Sequence, residues 1–556
     1  MALRTFEIDG EQYRLIYKED KKPFDWQVAA FKKLVPLDYG AIFAEVGCGK
    51  SAELIYLVQA HAFNKTIDAL FLIAPKSVYR QWATQQLPEH MELPYEVFLW
   101  GQHTSKKDEQ LLCEFRDKES DKLKVVLVNV EAFSYGTYIE TFRSFLKAHN
   151  TAYAIDEATR IKTPTAERTQ NIVMHMNDTL MWRGRINSVM MAAKKRYILT
   201  GTPVDGSPIS VYSMFNFLNW GFFSCNYTIF RQQYSLLRKE QTNGGKTYFR
   251  NLTRKDMERL RKEAAKGAPL SVLSTVFNTT ETDIQYILNN DTLSLPWKNL
   301  ASLKKQIAPC SYTITLDECF EDVPEETIQT LDVEMTAEQK RVYKMLKQLL
   351  YVELGGREMT VKNKLTLTMR LQQVTGGFVT VHEARLGPET AAVEMIPGGN
   401  AKYNVLRDDL EEYQDRPVII FCRYLAEARF VAKKLAEDFP DDDVGLIIGE
   451  VKQAEREDIL ARFDRKEISF LVATPGCLSV GRNLQVSHVM YFFSLSFSSE
   501  EHLQAKGRIR RATQKYPCIY KYLTMVGTID EHVVEVLQDK QDLLVYMQSH
   551  DIEELM

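Results

Sequence analysis

The chain is poor in the features that announce a class at a glance. Its eight cysteines, at 48, 113, 225, 310, 319, 422, 477 and 518, include no C-x-x-C pair, so neither a zinc ribbon nor a disulfide framework is supported. No apolar run approaches the ~18 residues needed to span a bilayer. The opening M-A-L-R-T-F-E-I-D-G lacks the apolar core of a signal peptide. A reducing cytosolic setting is therefore expected, with neither membrane nor zinc among the partners. Excess positive charge is missing too: 70 Lys and Arg against 74 Asp and Glu give a net charge of −4. Any nucleic acid must then be held by local patches, since no global field attracts it. A short fixed repeat and a low-complexity tail are also lacking.

What remains is an ordinary globular composition, 45% apolar and 26% charged over 556 residues. That length suggests roughly three or four domains. Residues 1–20 read as a hairpin, alternating around Asp9-Gly10. From 21 to 222, short apolar strands (A-I-F, A-L-F-L-I-A, V-V-L-V-N-V, Y-A-I, Y-I-L-T) alternate with amphipathic helices, the signature of an α/β parallel sheet covered on both faces. Residues 223–330 lose this rhythm and read as a helical, basic insertion. Residues 331–400 read as a helical connector ending in Pro397-Gly398-Gly399-Asn400. Strand–helix alternation returns over 401–556, a second α/β unit.

Chemistry concentrates in two places. Ala44 to Ser51 read A-E-V-G-C-G-K-S, between an apolar strand pattern and a helix pattern. In such a loop Gly47, Cys48 and Gly49 bring backbone N–H groups around phosphates. Lys50 reaches the outer phosphates, and Ser51 offers a hydroxyl to magnesium. Ala44 stands where the full eight-residue form has its first glycine. The bland alternative is a glycine-rich turn closing a core strand. Further on, a short strand leads into Asp156-Glu157. Paired acids at a strand end suit metal-assisted phosphoryl transfer, Asp156 holding the metal and Glu157 activating water. A lone Asp-Glu pair is more often a solvated loop; the upstream glycine loop is what reverses that weighting.

Two basic features are more ambiguous. Arg231 to Lys266 hold eleven Lys/Arg against four Asp/Glu, with Tyr234, Tyr248 and Phe249 interleaved. Arg254 and Lys255 are candidates for phosphate contacts, against a solvated helix face paired at i,i+3 and i,i+4. Gln504 to Gln514 place Arg508 and Arg511 three apart, on one face if helical. Such arginines can stabilise a transferred phosphoryl group, or merely face solvent.

In order, these segments resemble the superfamily 2 helicases, specifically the Swi/Snf-type DNA translocases, over nearly the whole chain. Phe24-Asp25-Trp26-Gln27 is similar to the segment whose glutamine reads adenine. Ala74-Pro75-Lys76-Ser77 with Gln81-Trp82 is similar to a motif that touches the DNA backbone. Asp156 to Lys162 resemble the family's D-E-x-H-R-I-K, with Thr159 in place of His. Thr200-Gly201-Thr202-Pro203 resembles the coupling motif, and Phe215-Asn216-Phe217-Leu218 follows it as in the family. Gly481-x-Asn483-Leu484 and Q-A-x-x-R-x-x-R-x-x-Q, starting at Gln504, resemble the later motifs. Departures are Thr474-Pro475-Gly476-Cys477 in place of Thr-Arg-Ala-Gly, and Ser311 to Leu316 in place of an arginine-rich segment.

The resemblance implies two RecA-like lobes working on ATP and Mg2+, and a compact viral or prokaryotic form in bacterial or infected-host cytosol. Gln27 and Gly481 join the ATP site, Thr200, Gly201, Thr202 and Gln504 couple, and Arg508 with Arg511 complete it. Lys76, Ser77, Lys162, Thr474 and Asn483 contact DNA. The implied activity is a DNA-dependent ATPase that moves on, remodels or unwinds duplex or branched DNA. An RNA-directed helicase and an ATP-gated DNA clamp with little turnover are the alternatives.

Overall fold

The computed structural model describes residues 2–538 except 77, 135, 174–192, 202–206, 242–246, 291–292, 294, 321–323, 354–360, 383–390, 399, 414–415, 479–482, 497 and 512–513. The chain divides into two compact units, Met1–Tyr234 with Asn299–Glu321, and Ser235–Lys298 with Asp322–Met556.

The first unit opens on strands β1 (Ala2–Ile8) and β2 (Glu11–Tyr17), paired antiparallel from Ala2↔Tyr17 to Ile8↔Glu11. Asp9 (φ 52°) and Gly10 (φ 81°) join them. Two left-handed residues give a turn whose twist matches the strands, as the Asp-Gly pair leads one to expect. Its main sheet uses β3 (Tyr39–Ala44), β4 (Ala69–Ala74), β5 (Tyr95–Leu99), β6 (Leu123–Asn129), β7 (Thr151–Asp156) and β8 (Lys195–Thr200). Strands β9 (Leu237–Gln241) and β10 (Thr247–Asn251) form a hairpin in the second unit. Strand β11 (Ser311–Ile314) returns to the first sheet, whose order is β11-β3-β8-β7-β4-β6-β5. Every neighbouring pair in that sheet is parallel. Every residue of β4 and β7 is buried, which is why these strands are unbroken apolar runs rather than alternating ones.

The second unit holds β12 (Glu326–Val333), the antiparallel hairpin β13 (Phe378–His382) and β14 (Ala391–Met395), then β15 (Val418–Phe421), β16 (Val444–Ile447), β17 (Phe470–Ala473), β18 (Val489–Phe492) and β19 (Cys518–Met525). Its six-stranded sheet runs β12-β19-β18-β15-β17-β16, again all parallel. Alternate residues of one strand feed opposite cores: Ile419 and Phe421 face one, Val418 and Ile420 the other. That is the period of two expected of a strand covered on both faces.

The stretch 223–330, expected as one helical insertion, is more divided. Residues 235–298 form a module with its own core of Leu236, Leu252, Met257, Leu260, Phe277 and Ile284. It carries the hairpin β9–β10 as well as the helices Arg254–Ala265, Leu270–Phe277 and Glu281–Leu288. Residues 299–321 rejoin the first unit, and β12 starts the second sheet before residue 330. Strand β11 reads S-Y-T-I, too short and polar to stand out by periodicity. No helix among the described residues is long and apolar enough to cross a membrane.

Candidate functional site: a glycine loop facing two buried acids

The sheet order of the first unit explains where the chemistry gathers. Strands β3, β8 and β7 are adjacent and parallel, so the segments leaving their C-terminal ends share one edge. Those segments are the glycine loop, Thr200-Gly201 and Asp156-Glu157. In open α/β sheets this edge is where ligands bind.

The loop is built by its glycines. Gly47 (φ 99°) and Gly49 (φ 92°) are both left-handed, a conformation costly for any residue with a Cβ. Cys48 N–H donates to Glu45 O at 3.1 Å, closing the turn. Gly49 is the N-cap of the helix Lys50–Phe63, so the helix N-terminus and its free N–H groups point at the loop. Gln27 braces this geometry: its Nε2 donates to Gly49 O at 3.1 Å, while its Oε1 accepts from Phe24 N–H at 2.9 Å. A Cβ on Gly49 would lie 3.1 Å from that amide nitrogen. Gly201 packs the same loop from another side, where a Cβ would sit 3.4 Å from Val46 Cγ2.

Lys50 Nζ lies 3.2 Å from Glu157 Oε1, both largely buried. Burial works to lower the Lys50 ammonium, but Glu157 and Asp156 outweigh it and hold it above its ordinary value. Asp156 Oδ1 accepts from Glu157 N–H at 3.0 Å, and Oδ2 from the Trp82 indole N–H at 2.9 Å. Burial and the neighbouring Glu157 still push the Asp156 carboxyl up to about 6. Glu157 itself sits at φ 52°, ψ 60°, an unusual backbone state for a residue with a side chain and one that concentrates at functional sites. It aims the carboxylate back at Lys50. The Thr159 hydroxyl is buried there with no hydrogen-bond partner among the described residues.

Trp82, grouped by resemblance with a DNA-touching motif, is fully buried on a π-helical turn, Trp82–Gln86, and its N–H donates to Asp156. Turns of this kind often mark functional sites. The contact spans 74 positions, so no local pattern could have revealed it.

The remaining candidates stand apart. Lys76 is exposed and Lys162 half-buried. Ser77, Thr202 and Gly481 lie outside the described residues, as does the Lys255 side chain. Arg254 is exposed and paired with Glu258 at 3.0 Å. Arg238 and Arg250 both pair with Glu240 and Asp256, and Arg261 donates to the Asn290 and Leu293 carbonyls. Much of the basic stretch is thus tied internally.

In the second unit Thr474 is buried at the end of β17, and Asn483 accepts from Gln485 N–H at 3.1 Å. Gln504 lies on the helix Ser499–Lys506, which ends at Gly507. Arg508 and Arg511 therefore follow the helix instead of sharing its face, a correction to the helical reading of their spacing. Arg508 is buried and Arg511 half-buried; Arg511 Nε donates to Gly507 O at 3.0 Å, and burial lowers its guanidinium.

A parallel sheet with a left-handed glycine loop capping a helix, and with paired acids one strand beyond its neighbour, defines a P-loop-type nucleoside-triphosphate-binding protein. The comparisons narrow this further. The SNF2-related domain matches residues 36–376, and the helicase conserved C-terminal domain matches residues 401–513. The chain belongs to the SNF2-related family.

Among curated proteins it is similar to chromatin remodeling 4 of Arabidopsis thaliana, 22% identical over 44% of this chain and 11% of that protein. It is also similar to the uncharacterized ATP-dependent helicase MG018 of Mycoplasma genitalium, 21% identical over 97% of this chain and 42% of that one. The chain thus spans less than half the length of these relatives. Among solved structures, the Sulfolobus solfataricus SWI2/SNF2 ATPase core in complex with dsDNA aligns at 18% identity and a TM-score of 0.36, covering 97% of this chain and 98% of that one.

Proposed function

We propose that this chain is an ATP-dependent DNA translocase of the helicase type, coupling ATP hydrolysis to movement on, remodelling of or unwinding of duplex DNA. One observation carries the reading: Lys50 held 3.2 Å from Glu157 at the start of the loop-capped helix. The pair is a latch. An incoming outer phosphate competes for Lys50, and the freed Glu157 carboxylate then orients and deprotonates the attacking water. Gly47, Cys48 and Gly49 supply N–H groups to the phosphates, and Gln27 positions that loop while facing the base.

The donor set fits magnesium. Ser51 offers a hydroxyl and Asp156 a carboxylate, both hard oxygens. Burial and the neighbouring Glu157 carboxylate push Asp156 up, a strain that a bound cation would relieve. When bound, Mg2+ would neutralise charge developing on the outer phosphates. Arg508 and Arg511 are proposed to stabilise the transferred phosphoryl group, and Thr200, Gly201, Thr202 and Gln504 to couple hydrolysis to movement. The relatives' names, a chromatin remodeler and an ATP-dependent helicase, support DNA as the track; a cytoplasmic setting is part of the same proposal. Residues 21–222 and 401–556 are proposed as the two RecA-like lobes.

The test is ATPase rate against duplex, forked, four-way and RNA substrates, with labelled-strand displacement in parallel. Stimulation by duplex without displacement supports translocation. Displacement points to unwinding. Binding without stimulated hydrolysis points to a clamp and overturns the reading.

A further inference from the structure

The glycine loop carries a cysteine where phosphate chemistry does not require one, and a second cysteine faces it. Three contacts bring the second one there. Glu45 N–H donates to Ile314 O at 3.1 Å. Leu316 N–H donates to Glu45 Oε2 at 2.9 Å. A capping box between Thr315 and Glu318 fixes the short helix Leu316–Cys319, and Cys319 N–H closes it onto Thr315 O at 3.1 Å. The Cys319 thiol then neighbours the Cys48 thiol and is the largest influence that raises it. Next to them, Phe320 meets Phe24 edge to face at 4.8 Å, and Phe24 lies beside Gly49. Both cysteines belong to the first unit and both are free thiols, Cys48 buried and Cys319 half-buried.

We propose that Cys48 and Cys319 are a peroxide-sensitive modification site that closes into a disulfide and fastens the phosphate loop to the helix Leu316–Cys319. The chemistry balances with hydrogen peroxide as oxidant. The more accessible Cys319 sulfur attacks the peroxide O–O bond, giving a sulfenic acid and one water. The Cys48 sulfur then displaces the sulfenic hydroxyl, forming the S–S bond and releasing a second water. Two thiols have lost two electrons and two protons, and the peroxide has become two waters. The order follows the surroundings. The Cys319 thiol and burial push Cys48 up, while Lys50 pulls it down. Once Cys319 is oxidised the largest influence raising Cys48 is removed; burial still opposes its thiolate and Lys50 still favours it. Bond formation draws the two sulfurs together. Cys48 then moves out of register with the phosphates its N–H must serve, and nucleotide affinity falls. This consequence rests on the proposed function; the bond itself does not.

The test uses the full chain, titrated with hydrogen peroxide and digested without reduction. A Cys48–Cys319 linked peptide is expected in the mass spectrum. A fluorescent ATP analogue should bind roughly tenfold more weakly after oxidation, and dithiothreitol should restore affinity. Cys319→Ser and Cys319→Ala should bind like the reduced chain and resist peroxide. Absence of the linked peptide, or an equal loss of affinity in both Cys319 variants, overturns the proposal. A reduced chain that binds no nucleotide would instead overturn the functional reading, while the linked peptide alone still decides the thiol pair.

Discussion

The two units share one architecture and use their buried charges in opposite ways. In the second unit Asp530 accepts from Thr375 Oγ1 at 2.9 Å and from Met525 N–H at 3.3 Å, and pairs with Lys402 at 2.6 Å. Lys402 is 1% exposed and also donates to Phe493 O at 3.1 Å. That cluster joins the ends of several segments with its partners in place, as a structural ion pair must. In the first unit Lys50 faces two acids, Asp156 is driven up to about 6, and Glu157 is held in a left-handed backbone state. The first set is unbalanced toward an incoming ligand; the second is closed. A parallel sheet thus says little about activity by itself, and the loops at the strand ends decide it.

Lys50→Ala should break the comparison most severely. Removing the loop's ammonium should lower ATP turnover by about a thousandfold, measured as phosphate release, whereas Lys402→Met should lower thermal stability and leave nucleotide affinity of the folded fraction intact. Glu157→Gln should abolish turnover while retaining ATP binding, since the amide keeps the shape but accepts no proton. A smaller effect is expected from Trp82→Phe. It keeps the packed ring but leaves one Asp156 oxygen without its donor, a cost of about 1–3 kcal/mol. A raised magnesium requirement for nucleotide binding would be the readout that distinguishes positioning from simple destabilisation.

Much of this contrast was legible in the sequence where it was local. Ala44 to Ser51 and Asp156-Glu157 each announce themselves within eight residues and an apolar strand. The hairpin turn at Asp9-Gly10 is equally local. Adjacency was not legible. That β8 lies between β3 and β7, and so places Gly201 against Val46, depends on strand order. The return of β11 to the first sheet involves only four residues. Arg508 and Arg511 looked helical by spacing, but the helix closes at Lys506, before either of them. The basic stretch from Arg231 was half legible: its charge was plain, but the cross-strand pair of Arg250 with Glu240 depends on the register of β9 and β10.

pH sharpens the same contrast. Asp156 moves from an ordinary 3.8 up to about 6 in the folded chain. The fold therefore favours its protonated form. The stabilising contribution of this group is full below about 4 and is lost as pH rises through about 6. Asp156→Asn should consequently melt above the wild type at pH 7.5, and the gap should close by pH 4.5. Equal gaps at both values would show that the carboxyl is not perturbed. The smallest effect belongs to the module at 235–298. Neutralising Arg254 and Lys262 together should reduce the salt dependence of duplex binding by a slope of about 2 at most. An unchanged slope would return that face to solvent.

The most direct measurement sets ATP binding beside phosphate release in Glu157→Gln, with and without duplex DNA. A latch released by the outer phosphate predicts retained binding, no release, and no rescue by DNA. Release at the wild-type rate would contradict the account at its centre, because the Lys50–Glu157 pair would then have no part in the chemistry.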